Sequence, residues 1–494
     1  MFICGYSDGL QHQDFHVLIG RQRLRVDSSR LQSATPSFRN SSFNSQIILS
    51  IFIFPTKPMD PSDPFDLNNV VKWYFDNVIN DNSKEEMMRI ILEKQREEQA
   101  GSSTRRTGKR RHIERNREEG HTRLFNDYFS EQPVYTDEQF RRRFRMSKHV
   151  FLRNVQALGE HDEYFQLRVD GCGRQGLSPL QKCTSAIRML AYASPADSLD
   201  DYVRMGESTS VECLEKFTSG VIKIFGEEYL RRPTTDDIQR LLQIGNDRGF
   251  PGMLGSIDCM HWEWKNCPVA WQGQFSRGDH GNPTVMLEAV ASKDLWIWHA
   301  FFGVAGSNND INVLNQSPVF NDILHGRAPE VKYTVNGTEY NLGYYLADGI
   351  YFEWATFVKT IPMPQGEKRQ FFAKQQEGAR KDIERAFGVL QARFAIVRCP
   401  SRQWQLDSLA RIMYACIILH NMIVEDERDT YGGNFDYSDV GNDTVEESNN
   451  GRDPDIQDYL QRRFAVRDRV SHHQLKADLV EHVWEHHRHM NDQN

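Results

Sequence analysis

At 494 residues, with 39% hydrophobic and 26% charged side chains, the chain is long enough for two or three globular domains. A formal charge of -8 excludes a uniformly basic nucleic-acid binder, so any phosphate-binding surface has to be local. The eight cysteines form no C-x-x-C pair, which argues against a zinc finger and fits reduced thiols.

Residues 1–57 are rich in Ser, Gln and Arg and show no sustained hydrophobic period. Ile47–Phe54 is apolar but far short of the about 20 residues that span a bilayer, so no membrane association is expected. Met59-Asp60-Pro61 reads like a protein beginning, which makes the preceding residues either a disordered leader or an extension ahead of the true start. Asp66–Asn80 and Lys84–Gln99 read as helices, the second opened by a Ser83/Glu86 capping box. A basic tract follows: Arg105, Arg106, Lys109, Arg110, Arg111, Arg115 and Arg117. It suits nuclear import or phosphate binding, while a solvated linker is the simpler reading. Residues 1–120 are therefore expected to lie largely outside the folded core.

From 121 to 248 the pattern is all-helical. Thr136 caps a helix with Phe140 and Phe144, and Ser147 caps another with Phe151, Leu152 and Val155. Ser178-Pro179 with Gln181 supplies an N-cap, an N1 proline and an N3 glutamine for a helix through Ala193. Ser198–Arg204, a turn at Met205-Gly206-Glu207, and a helix capped by Ser208 or Thr209 and running through Phe225 outline a helix-turn-helix. Ordinary helix packing explains the same pattern, because the second helix carries few Arg or Lys to meet phosphate.

At Gly249 the texture changes. Met253–Trp264, Thr284–Ser292 and Leu295–Gly303 read as successive strands, followed by a helix over Asp310–Leu324 and a fourth strand at Tyr344–Ala347. Trp354–Lys359 reads as a short helix, and Gln375–Ala395 and Leu406–Val424 as long ones. This order predicts an α/β domain over 249–427, a mixed sheet covered by helices on its faces. Residues 428–494 read as an acidic linker and a closing helix, Leu475–His489. His482 and His486 have i, i+4 metal spacing there, but no third ligand is positioned, so a surface helix is expected.

Four acids stand at breaks in the apolar segments of this domain. Asp258 interrupts a strand, Asp310 opens a helix, Asp348 follows Tyr344-Tyr345-Leu346-Ala347, and Glu384 lies in R-K-D-I-E-R-A-F-G. A carboxylate beside a buried sheet needs a counter-charge or a metal. Glu384 is expected to share a sheet-facing helix face with Phe387 and Gly388, and Arg380, Lys381 and Arg385 to neutralise acids or meet phosphate. Hard oxygen donors without Cys favour Mg²⁺ or Mn²⁺. Two such ions can hold the attacking and leaving oxygens of a phosphoryl displacement. His261 reads as packing and His420-Asn421 as a hydrogen-bonded core pair.

The order of the acids, with 35 residues between Asp348 and Glu384, is that of DDE transposases and integrases. The flanking words sharpen the match: G-S-I-D-C-M-H-W, G-S-N-N-D-I-N-V-L-N-Q-S, Y-Y-L-A-D-G-I-Y, R-K-D-I-E-R-A-F-G-V-L-Q-A-R-F-A-I-V and C-I-I-L-H-N-M-I-V-E-D-E. Over roughly residues 125–430 the chain resembles PIF/Harbinger transposases, particularly the plant Pong-like branch and its domesticated, nuclease-like relatives. The resemblance implies an RNase H-like catalytic domain behind the helical one. It also implies a metal-dependent DNA endonuclease or transposase with Asp258, Asp348 and Glu384 as the triad and Asp310 as a further metal ligand. It implies a nuclear protein, with a cytoplasmic pool allowed, that acts on DNA beside a separate Myb-like DNA-binding partner; self-association is left open. Departures are Ala347 where many relatives have Gly, Phe352 where Pro is usual, and Cys399 where Gly is common. The rival reading is a non-catalytic chromatin- or DNA-associated protein that kept the fold, and a weaker one a basic-arm DNA-binding factor using only the helical domain.

Overall fold

The computed structural model describes residues 14–19, 22–27, 113–431 apart from 170, 172, 279 and 280, then 444–446 and 456–492. Arg105, Arg106, Lys109, Arg110, Arg111, the Ile47–Phe54 run and the two helices expected between 66 and 99 lie outside the described residues. Two units divide the chain at 105/106. The first contributes an antiparallel hairpin of β1 (Asp14–Ile19) and β2 (Gln22–Asp27).

The second unit opens with helices α1 (Arg117–Tyr128), α2 (Asp137–Phe144), α3 (Lys148–His161), α4 (Pro179–Tyr192), α5 (Asp200–Val203), α6 (Glu207–Tyr229) and α7 (Thr235–Asn246). Their starts follow local chemistry. The Thr136, Ser147 and Ser178 hydroxyls each accept a third-residue amide, and Gln139 and Gln181 complete capping boxes for α2 and α4. Phe140 stacks on Phe144 at 4.1 Å, and Phe151 meets Phe144 edge-on at 4.9 Å, joining α2 to α3.

α6 begins at Glu207, not at the expected 208 or 209 cap, and Gly206 takes the N-cap position. A Cβ on Gly206 would sit 3.2 Å from the Arg115 guanidinium, which Asp200 holds at 2.8 Å. That ion pair closes the turn, so glycine replaces a side-chain cap. α6 buries Cys213, Leu214, Phe217, Val221 and Phe225 against α3 and α4. It is a core helix along that face.

The remaining elements are β3 (Met253–Glu263), α8 (Val269–Phe275), β4 (Thr284–Ala291), β5 (Ile297–Ala305), α9 (Asp310–Gln316), α10 (Asn321–Leu324), β6 (Glu330–Val335) and β7 (Thr338–Tyr340). Then come β8 (Tyr344–Ala347), β9 (Phe357–Lys359), α11 (Glu367–Arg393), α12 (Leu406–Tyr431), β10 (Thr444–Glu446), α13 (Ile456–Val466) and α14 (Arg469–Asp492). Five strands form one sheet in the order β5-β4-β3-β8-β9. β3, β4 and β5 are antiparallel neighbours, while β8 runs parallel to β3 and β9 parallel to β8. The result is a mixed α/β sheet flanked by helices behind a helical region, consistent with an RNase H-like fold.

Two stretches differ from the sequence expectation. Residues 357–359 form the edge strand β9, not a helix; six residues are too few to show a period, and pairing with β8 decides them. The helix expected over 310–324 breaks at Ser317-Pro318 into α9 and α10, since proline lacks the N–H a continuous helix needs. The β6–β7 hairpin, α8 and α13 were not foreseen.

α12 is long and apolar enough to cross a membrane by length and composition, yet it packs on α6 and β5, with Met413, Cys416, Ile417 and Leu419 fully buried. At the β4–β5 turn, Asp294 meets Arg240 of α7 and Arg428 of α12, each at 2.7 Å. Burial raises the Asp294 carboxyl pKa, but these cations and the Ser292 hydroxyl outweigh it and hold the group below the usual range.

Candidate functional site

β3 is organised by alternation. Ser256 donates to the Ala379 carbonyl of α11 at 3.2 Å, so residues 256, 258 and 260 face that helix. The Asp258 side chain is 19% exposed. Its Oδ1 accepts the Cys259 amide at 2.8 Å and its Oδ2 meets Arg380 of α11 at 3.2 Å. The other Arg380 nitrogen reaches Glu384 Oε1 at 2.9 Å, one helical turn on. One guanidinium therefore bridges Asp258 and Glu384.

Burial is the largest influence on Asp258 and pushes its carboxyl up to about 6. The Cys259 amide and Arg380 pull it back, and the charges of Asp310 and Glu384 raise it further. A carboxyl raised in the folded state contributes stability that is complete below its ordinary value of 3.8 and lost as pH rises through about 6. Asp258→Asn is accordingly expected to melt higher than wild type well above pH 6, with the gap closing as pH falls through 6. Thermal melts across that range check it, and a pH-independent gap would assign the effect to packing.

Asp310 is the first residue of α9, but the cap is Asn309, whose side chain accepts the Asn312 amide at 2.9 Å. The N-cap role therefore falls to Asn309, which leaves the Asp310 carboxylate free of it. The turn before it is close-packed: a Cβ on Gly306 would fall 1.8 Å from Thr284 Oγ1. Asp310 is half-buried, and burial first, then the charges of Asp348 and Glu288, raise its carboxyl against the lowering effects of Cys259 and Arg277. Asp348 follows β8 directly and is exposed, its Oδ1 accepting the Gly349 amide at 2.5 Å. Ser256 pairs with Leu346 across the parallel β3–β8 ladder, so two residues further on Asp258 runs level with Asp348. Asp258, Asp310 and Asp348 are thereby gathered around one region of the sheet.

Glu384 departs from expectation. It is 45% exposed and does not share the buried face. α11 packs through Phe372, Gln376, Ala379, Ile383, Ala386, Phe387 and Leu390; a position one beyond Ile383 is rotated about 100° from it. The inward-facing acid is Asp382, fully buried and paired with Arg248 and Arg385. Arg380 and Arg385 are thus engaged with acids, while Lys381 is exposed. His261 makes a structural contact, Nδ1 to Thr284 Oγ1 at 2.9 Å. His482 is half-buried near His486.

The sequence reading passed over Glu288. This acid in the apolar run V-M-L-E-A-V-A of β4 is fully buried opposite Cys259, and neither carboxylate oxygen has a hydrogen-bond partner. His299 Nε2 lies 3.4 Å from Oε1, a charge contact only if that ring is protonated, and Ser317 Oγ is closer to the same nitrogen at 3.1 Å. An acid interrupting a strand was the signal that found Asp258, and it was present here too.

Among the described residues no three His, Cys, Asp or Glu side chains converge closely enough to hold one ion. The donor type still fits a hard cation: carboxylates, with the buried Glu288 oxygens unpartnered and within electrostatic reach of Asp310. The Arg380 guanidinium lies between Asp258 and Glu384.

Fold and site define a helix-flanked mixed α/β protein with carboxylates gathered on its central strands. Residues 227–431 match the Plant transposon protein family, and residues 120–159 match a domain of unknown function, DUF8418. The chain is 20% identical to "Putative nuclease HARBI1" of Bos taurus over 52% of this chain and 70% of that protein. It is 22% identical to the Xenopus laevis protein of the same name, with the same coverage. It is 24% identical to "Protein ALP1-like" of Arabidopsis thaliana over 37% of this chain, spanning under half, 45%, of that protein. No solved structure matches at a significant level. Together these matches support a PIF/Harbinger-related member of the DDE superfamily.

Proposed function

We propose that the chain is a divalent-metal-dependent DNA endonuclease of the PIF/Harbinger type, built on an RNase H-like domain and derived from a transposase. The observation that supports it is the gathering of Asp258, Asp310 and Asp348 within electrostatic reach of one another, with Glu384 tied to Asp258 through Arg380. These four acids would hold the metal only after drawing closer, since no three of them converge on one point in the free protein. Mg²⁺ or Mn²⁺ bound there supplies charge neutralisation for a phosphodiester and a more acidic water.

The chain's own part is to arrange charge. β3 and β8 set Asp258 level with Asp348, and α9 brings Asp310 beside Cys259. Arg380 offsets part of the charge of Asp258 and Glu384 in the free protein. DNA is the substrate and the nucleus the place of action. A separate Myb-like protein lends sequence specificity, and the tract around 105–117 adds import or sequence-independent affinity.

The experiment is a Mg²⁺ and Mn²⁺ titration of plasmid nicking by purified wild type and Asp258→Ala. Metal-dependent nicking by wild type alone supports the proposal. The Arg380 bridge brings Glu384 to Asp258 but also occupies both acids, and that occupation favours a second reading, a non-catalytic DNA-associated protein. Arg380→Gln separates the two. If the guanidinium competes with a metal, the variant gains a larger Mn²⁺-induced rise in melting temperature than wild type, by mass action. No metal-induced shift in either protein, with no nicking, would leave the non-catalytic reading standing.

A further inference from the structure

Beside the acids lies a cavity of about 390 Å³, lined by the aromatic Tyr351, Phe352 and Trp354 and the cations Lys359, Arg467 and Arg469. The volume falls at the lower end of the about 300–1,000 Å³ typical of small-ligand sites. The Phe352 and Trp354 rings stack at 4.9 Å and 8°, and the Arg467 guanidinium sits 4.7 Å over Trp354. Glu353 is the acid of the lining, and it is engaged by Arg469 at 2.6 Å, with His473 3.4 Å away. Lys359 donates to the Tyr351 carbonyl at 2.7 Å. Nearby Lys476 has its ammonium pKa lowered first by burial and then by the charge of Lys359, against the raising effect of Glu353. Lining cations outnumber the acid three to one.

The cavity is joined to the acids by Tyr351. Its amide donates to the Asp348 carbonyl at 3.2 Å, and its hydroxyl lies 3.6 Å from Sγ of Cys259, the residue after Asp258. Aromatic rings beside cations, next to a carboxylate site, match the chemistry of an unstacked base and its phosphate. Stacking on aromatic side chains accepts any base, and a paired duplex hides the base faces that it needs.

We propose that this cavity is a subsite for single-stranded nucleic acid, taking one unstacked base at the Phe352–Trp354 pair and its phosphate at Arg467, Lys359 and Arg469. Its role in positioning a strand for cleavage rests on the nuclease reading; binding itself does not. The test is fluorescence anisotropy of a labelled oligo-dT with full-length protein in EDTA, where no metal chemistry contributes. Phe352→Leu is expected to weaken binding about 5- to 150-fold. Arg467→Gln, at an exposed position, is expected to weaken binding and reduce the salt slope by about 0.7. Wild type that does not bind oligo-dT, or Arg467→Gln and Phe352→Leu binding like wild type with unchanged circular dichroism, overturns the subsite. Absent plasmid nicking with oligo-dT binding intact and sensitive to both variants sinks the nuclease reading alone.

Discussion

Single replacement of Asp258, Asp348 or Glu384 by alanine is expected to reduce metal-dependent nicking by more than about 100-fold, since losing even an outer-shell partner of a metal ligand costs about 10–100-fold. The folded state should survive each change. Asp348 and Glu384 are exposed, and exposed substitutions usually move stability by no more than about 0.5 kcal/mol. Asp258 is unfavourably placed as a charge above about pH 6, so its removal does not weaken the fold there. Asp310→Asn is expected to reduce nicking less, with no loss of melting temperature in EDTA because Asn309 remains the cap and burial already disfavours the Asp310 charge. Glu384 is the most exacting test. It is tied to Asp258 through Arg380, so full activity in Glu384→Ala would remove α11 from the acid set.

Asn421→Leu is expected to destabilise the protein by more than about 3 kcal/mol, read from urea unfolding. Asn421 is fully buried in α12. Its amide donates to the Tyr229 carbonyl at 2.7 Å and the Ile297 carbonyl at 2.8 Å, and its oxygen accepts the Ile297 amide at 2.9 Å. One side chain thus ties the end of α6, the start of β5 and α12 together. Leucine fills the space but leaves these backbone groups unpaired, at about 1–3 kcal/mol each. A loss under about 1 kcal/mol would mean that they find other partners. His420 beside it is neutral, with a pKa pushed down to about 3 by burial and by the Arg393 charge. Its Nε2–H donates to the Leu295 carbonyl at 2.8 Å while Nδ1 accepts from Arg393 at 3.1 Å. The core-pair reading of His420-Asn421 is what the structure shows.

What the sequence determined by itself was the chemistry that depends on a few neighbouring residues. Thr136, Ser147 and Ser178 start helices because their hydroxyls need only an amide three residues on. Tyr344–Ala347 reads as a strand from its own apolar run and is one. The acids at breaks in apolar runs were legible because a carboxylate there has few bland explanations.

Tertiary structure alone decided the rest. Phe357–Lys359 is a strand because β8 offers it a hydrogen-bonding edge, which three residues cannot signal. The rotation of α11 is set where Gln376 donates to the carbonyls of Ala347 and Val358, at 3.2 and 3.0 Å. That phase turns Asp382 inward to Arg248 and leaves Glu384 outward on Arg380, the reverse of the expected face. Glu288 and Asp310 come within reach of each other only because β4 pairs with β3 and the turn at Gly306 packs on Thr284. A helix's period and a residue's charge are local properties. Which face is buried, and which guanidinium meets which carboxylate, is settled by elements more than a hundred residues apart in the chain, as with Arg380 and Asp258.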